Sequence, residues 1–125
     1  MTENEIAKII VNASLNIHKE LGIGLLESVY ENCLSFELRQ SGLSVVSQQS
    51  LPVLYKEVKM DIGFRLDLWV ERKVIVEIKS VESLSDIHMA QILTYLRLTK
   101  NKLGLLINFN VPLMKSGIRR VANNL

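Results

Sequence analysis

The chain is 125 residues long, 48% hydrophobic and 22% charged, with a formal net charge of +2. That is the balance of one globular domain spanning 1–125, long enough to bury a core without staples. Cys33 is the single cysteine, which excludes an internal disulfide and a paired-cysteine zinc site. No apolar run approaches the roughly 18 residues of a membrane span, and the start "MTENEIAK" has no secretory pattern. A cytoplasmic protein with no membrane partner is the expectation.

Thr2 and Glu5 have capping-box spacing, and Ile6, Ile9, Ile10, Ala13, Ile17 and Leu21 recur at helical intervals. A first helix is predicted from about 3 to 20, stopped by "LGIG", with Gly22 suited to the left-handed turn. A second follows from about 25 to 40, carrying Leu26, Val29, Tyr30, Cys33, Leu34 and Leu38, and "SG" at 41 and 42 closes it. From Leu43 onward "LSVVSQQ", "LPVLYKEVKM", "GFRLDLWV" and "KVIVEIKS" read as three or four consecutive strands. Ser83 or Ser85 can cap a third helix through "DIHMAQILTYLRLTK". "KLGLLINFN" is a short strand, and "SGIRRVANNL" reads as a short terminal helix. The order predicts an α/β sandwich with a mixed sheet.

Residues two apart in a strand share a face, so Glu77 and Lys79 project together while Val74, Val76 and Ile78 project the other way. In the preceding strand Phe64, Leu66, Leu68 and Val70 share one side, and Arg65, Asp67 and Trp69 the other. A three-residue hairpin loop at 71–73 matches Val70 with Val74, Leu68 with Val76 and Leu66 with Ile78. That register sets Asp67 opposite Glu77 and Arg65 opposite Lys79. Opposed β-carbons are about 5 Å apart, so both carboxylates can touch one cation. Magnesium or manganese suits such oxygen donors, with water and substrate phosphate completing the shell. A hydrated strand face with a cross-strand ion pair would show the same spacing.

Gln91 and Tyr95 lie one helical turn apart, and His88 shares their side. An amide, a phenol and an imidazole can bind phosphate oxygens or order metal-bound water; they are also what the polar rim of an amphipathic helix presents. Glu27 can add a carboxylate to the cation, or it can, like Glu31, simply serve the dipole at the helix start.

With Gly24, Glu27 and Tyr30 in place, the chain resembles the GxxExxY family of the PD-(D/E)xK nuclease-like superfamily. The resemblance runs over nearly the whole sequence, although Leu66 replaces the proline of the superfamily signature and "GIG" stands where "GPG" is expected. It implies a restriction-endonuclease-like sandwich: a mixed central sheet with antiparallel strands, flanked by helices. It assigns the signature to Asp67, Glu77 and Lys79, with Glu27 as the early acidic residue, and implies magnesium or manganese on Asp67, Glu77 and Glu27. Gln91 and Tyr95 match the QxxxY element of RecB-like nucleases and inherit substrate positioning. Tyr30, His88 and His18 are weaker candidates for that role, His18 standing equally well as a core or capping histidine. The implied activity is metal-dependent phosphodiester hydrolysis, on DNA in preference to RNA. A non-catalytic nucleic-acid or protein-binding module retaining the fold is the alternative, and a homodimer or larger complex stays open.

Overall fold

A computed structural model describes residues 1–60 and 63–125. Helix α1 (Glu3–Leu21) starts on the expected capping box: the Glu5 amide donates to Thr2 Oγ1 at 3.2 Å, and the Thr2 amide to Glu5 Oε1 at 2.9 Å. Its apolar stripe, Ile6, Ile10, Ala13 and Ile17, is buried. Gly22 follows at φ +71°, a conformation that glycine adopts without strain. Helix α2 (Glu27–Gln40) buries Tyr30, Leu34 and Leu38 against the same core.

The sheet comprises β1 (Val45–Leu51), β4 (Phe64–Val70), β5 (Val74–Lys79), β6 (Leu103–Asn108) and β7 (Ile118–Ala122), side by side in the order β1-β4-β5-β6-β7. A separate two-stranded hairpin, β2 (Leu54–Tyr55) and β3 (Val58–Lys59), stands apart from it. Helix α3 (Asp86–Thr99) carries the chain from β5 to β6, the one parallel pair among the described residues. This is the mixed sheet with flanking helices expected of a restriction-endonuclease-like fold. Helices α1 and α2 cover one face with Leu68, Val70, Val74, Val76 and Ile78; α3 covers the other with Leu66, Ile75 and Leu106. Gly104 permits close approach of α3, since a β-carbon there would stand 2.8 Å from Ile92 Cδ1. No described helix is long and apolar enough to cross a membrane.

Three expectations are corrected. The C-terminal segment forms no α-helix: Met114–Gly117 is a 3₁₀ turn, and β7 pairs antiparallel with β6 from Ile107 with Ile118 to Leu103 with Ala122. Ile118 and Val121 have helical spacing, but the open edge of β6 offers a ready ladder to a segment too short to nucleate a helix alone. "LPVLYKEVKM" is no long strand either, because Lys56 and Glu57, both at positive φ, turn it back on itself.

The third correction concerns faces. The loop at 71–73 gives the expected pairs Val70–Val74 and Leu68–Val76, but the β4–β5 ladder stops there. Leu66 belongs to the α3 core and Ile78 to the α1–α2 core, so they do not meet. Arg65 and Lys79 lie beyond the paired stretch and do not oppose each other in the ladder, although Arg65 keeps its pair with Ser50 of β1 and Lys79 its pair with Asn108 of β6. Strand β4 therefore changes face at Asp67. A carboxylate there competes with the neighbouring backbone for its amides, and the opening it leaves is where the acidic groups gather.

Candidate active site

Asp67 reaches across the opening, its Oδ2 accepting from the Ile78 amide at 2.8 Å. In return Glu77 Oε1 accepts from the Asp67 amide at 3.3 Å. Side chains thus take the ladder bonds that backbone carbonyls would otherwise make, and the two acids are held together. Glu77 is only 5% exposed. Burial pushes its pKa from 4.5 up to about 9, the Asp67 charge adds to the rise, and Lys79 draws it partly back. Such a shift marks a carboxyl group short of positive charge.

Helix α2 brings two more acids. Glu27 Oε2 accepts from the Ser80 amide at 3.0 Å, just beyond the end of β5, and Ser80 Oγ donates to Leu25 O at 3.1 Å. One turn later, Glu31 has its pKa raised by burial and by the charges of Asp67 and Glu27, against the pull of Gln48. From the opposite face α3 supplies Tyr95, nearly buried and stacked on Phe64 with centroids 4.8 Å apart. Its phenol pKa is raised by burial and then by Glu77 and Asp67, while neighbouring Gln91 lowers it. Glu77 therefore feels the charges of Asp67 and Lys79, and Tyr95 those of Glu77 and Asp67, with Gln91 exposed at the margin.

A divalent cation suits these donors. Two carboxylates stand within reach of each other, one of them driven by burial, and then by its neighbour's charge, to hold a proton. Among the described residues no three His, Cys, Asp or Glu side chains are gathered as a ready donor set. That is compatible with magnesium, which is commonly bound through one or two carboxylates with water and substrate phosphate in the remaining positions.

A family model for the PD-(D/E)XK nuclease superfamily matches residues 4–121. The chain belongs to this superfamily. No curated protein and no solved structure matches it. Members of the PD-(D/E)XK superfamily are generally nucleases and typically use divalent metals.

Within this superfamily member, three of the residues expected near substrate hydrogen-bond to the chain's own backbone. Tyr30 is fully buried, stacked on Phe109 at 4.4 Å; its hydroxyl donates to Gly22 O at 2.6 Å and accepts from the Leu25 amide at 3.3 Å. It ties down the loop that leads into Glu27. His18 Nε2 lies 2.7 Å from Val111 O, joining α1 to the loop after β6. His88 Nδ1 accepts from the Ser85 amide at 3.1 Å and so caps α3, with Ser85 rather than Ser83 at the N-cap. Replacing Tyr30 by Phe leaves the Gly22 carbonyl without its donor and is expected to cost about 1–3 kcal/mol in chemical denaturation. An unchanged midpoint would contradict this role.

Sequence reading missed Glu31 and Gln48 as site neighbours. Glu31 lies one helical turn beyond Glu27, which is a usable signal. Gln48 has none, since its place depends on how β1 packs beside β4.

Proposed function

We propose that the protein is a divalent-metal-dependent nuclease that hydrolyses phosphodiester bonds, with DNA as its substrate. One observation carries this reading: Asp67 and Glu77 are paired at an opening in the ladder, and Glu77 is pushed up to about 9 by burial and by its neighbour's charge. When bound there, magnesium or manganese would polarise a phosphoryl oxygen and acidify a water molecule.

The chain's own side chains divide the remaining work. Asp67 and Glu77 hold the cation, each also fixed by a backbone hydrogen bond, so little rearrangement is needed. Glu27, anchored at the Ser80 amide on the α2 side, would reach the cation through a bound water rather than directly. Lys79 brings a positive charge close to Glu77, to orient the attacking water and stabilise the charge that builds on phosphate. Tyr95 and Gln91 position the substrate from α3.

A surface cavity of about 710 Å³ lies beside Phe64, the ring that stacks on Tyr95, and is lined in part by Ser50, Lys59 and Arg65, with none of the site's acids among its lining residues. Its two cations suit a polyanion, and in this reading the cavity is the path by which DNA approaches the neighbouring carboxylates. The test is magnesium-dependent cleavage of labelled DNA, alongside binding of a non-cleavable DNA at several salt concentrations. Replacing both Lys59 and Arg65 by Ala is expected to weaken binding and reduce the slope of log K against log salt by about 1.5. Magnesium-independent cleavage would contradict the metal reading, and an unaltered slope would contradict the path.

A further inference from the structure

The β1–β4 ladder pairs Val45–Val70, Val46–Trp69 and Ser47–Leu68, then resumes in the same register with Gln49–Leu66, Ser50–Arg65 and Leu51–Phe64. The omitted pair is Gln48 with Asp67. Gln48 has φ +53°, in the left-handed region, although it is not glycine and sits on an edge strand. Its amide Nε2 lies 2.7 Å from Glu31 Oε1 and 3.4 Å from Asp67 Oδ1. The other Asp67 oxygen is already held by the Ile78 amide. Both oxygens of the carboxylate are therefore addressed, one from β5 and one from β1.

Building on the metal site proposed above, we infer that Gln48 is a positioning residue for Asp67, anchored in turn by Glu31. A neutral amide suits this place. It donates without neutralising Asp67, whereas a lysine would compete with the cation and an alanine would leave Oδ1 without this partner. Glu31 accepts the stronger of the two hydrogen bonds and so fixes where the amide points. Strained backbone angles within a strand cost free energy and cluster where the side chain they aim has a task.

Gln48→Gly separates this from a purely structural role, because glycine accepts the left-handed angle while deleting the amide. Calorimetric titration with manganese alone and thermal melting in EDTA give the two readouts. The variant is expected to melt at or above the wild-type temperature yet bind manganese about 10-fold or more weakly, the usual scale for losing a residue that orients a metal ligand. Glu31→Gln is expected to weaken binding as well, and the Glu31→Gln, Gln48→Gly double variant to lose less than the two single losses combined. Wild-type manganese affinity in Gln48→Gly would overturn the inference while leaving the metal site standing. Weaker binding accompanied by a lower melting temperature would overturn it too, by making Gln48 a structural residue. If the wild-type protein bound no manganese, the metal site and this inference would fall together.

Discussion

Asp67→Asn is expected to reduce magnesium-dependent DNA cleavage by about 10²–10³-fold, the scale seen when a group that stabilises transition-state charge is removed. The substitution keeps the shape of the side chain and an oxygen for the Ile78 amide, so the opening between β4 and β5 should survive. What disappears is one of two negative charges facing the cation. Lys79→Ala should lose about 10²–10³-fold, for the same reason with opposite sign. Lys79 is partly exposed, and its removal leaves the core untouched. Circular dichroism and melting would establish that both variants fold. Equal cleavage by wild type and both variants, in preparations cleared of contaminating nucleases, would refute the assignment; so would loss of cleavage that tracked loss of structure.

The second large effect concerns pH. Glu77 has a folded pKa of about 9 against 4.5 for an unperturbed glutamate, so in the metal-free protein the folded state keeps a proton that the unfolded chain releases. Stability from this group is complete below about pH 4.5 and is lost as pH rises toward 9, at up to about 1.4 kcal/mol per pH unit. Glu31, also raised by burial, works in the same direction. Denaturant titrations in EDTA at pH 5, 6, 7 and 8 should show wild type losing stability relative to Glu77→Gln, which has no proton to release at that position. Magnesium should reverse the trend at the alkaline end, since the cation replaces the proton and binds only the folded site. At about 100 times its dissociation constant it would add about 2.7 kcal/mol. A constant difference between wild type and Glu77→Gln across this range would show that Glu77 is not held as an acid.

Much of this was readable from residue order. The loop at 71–73 fixes the hairpin register as far as Leu68–Val76, because a three-residue connection leaves few ways to pair the apolar positions, and so brings Asp67 near Glu77, which it meets through a side-chain hydrogen bond rather than as a ladder pair. Capping residues at Thr2 and Ser85 place the helix starts. The change of face at Asp67 was not readable. Alternation assumes an unbroken ladder, and here a carboxylate takes the Ile78 amide in place of a strand partner. Strand β7 was hidden for a related reason: the free edge of β6 decides its conformation, and the spacing of Ile118 and Val121 suits a helix equally well. Tyr30 belongs to the motif Gly24, Glu27, Tyr30, and sequence alone could not say that its part is to fix the loop before Glu27 rather than to meet a ligand. Glu31 and Gln48 come together only through the packing of α2 beside β1.

The central claim is that Asp67 and Glu77 jointly hold a divalent cation. Diffraction from crystals soaked in manganese, recorded near the manganese absorption edge, tests it most directly. The expected result is an anomalous peak between the two side chains, about 2.0–2.3 Å from an oxygen of each, that is lost in Asp67→Asn. A clear map at saturating manganese with no peak there, or with its peak at carboxylates elsewhere on the surface, would contradict the account.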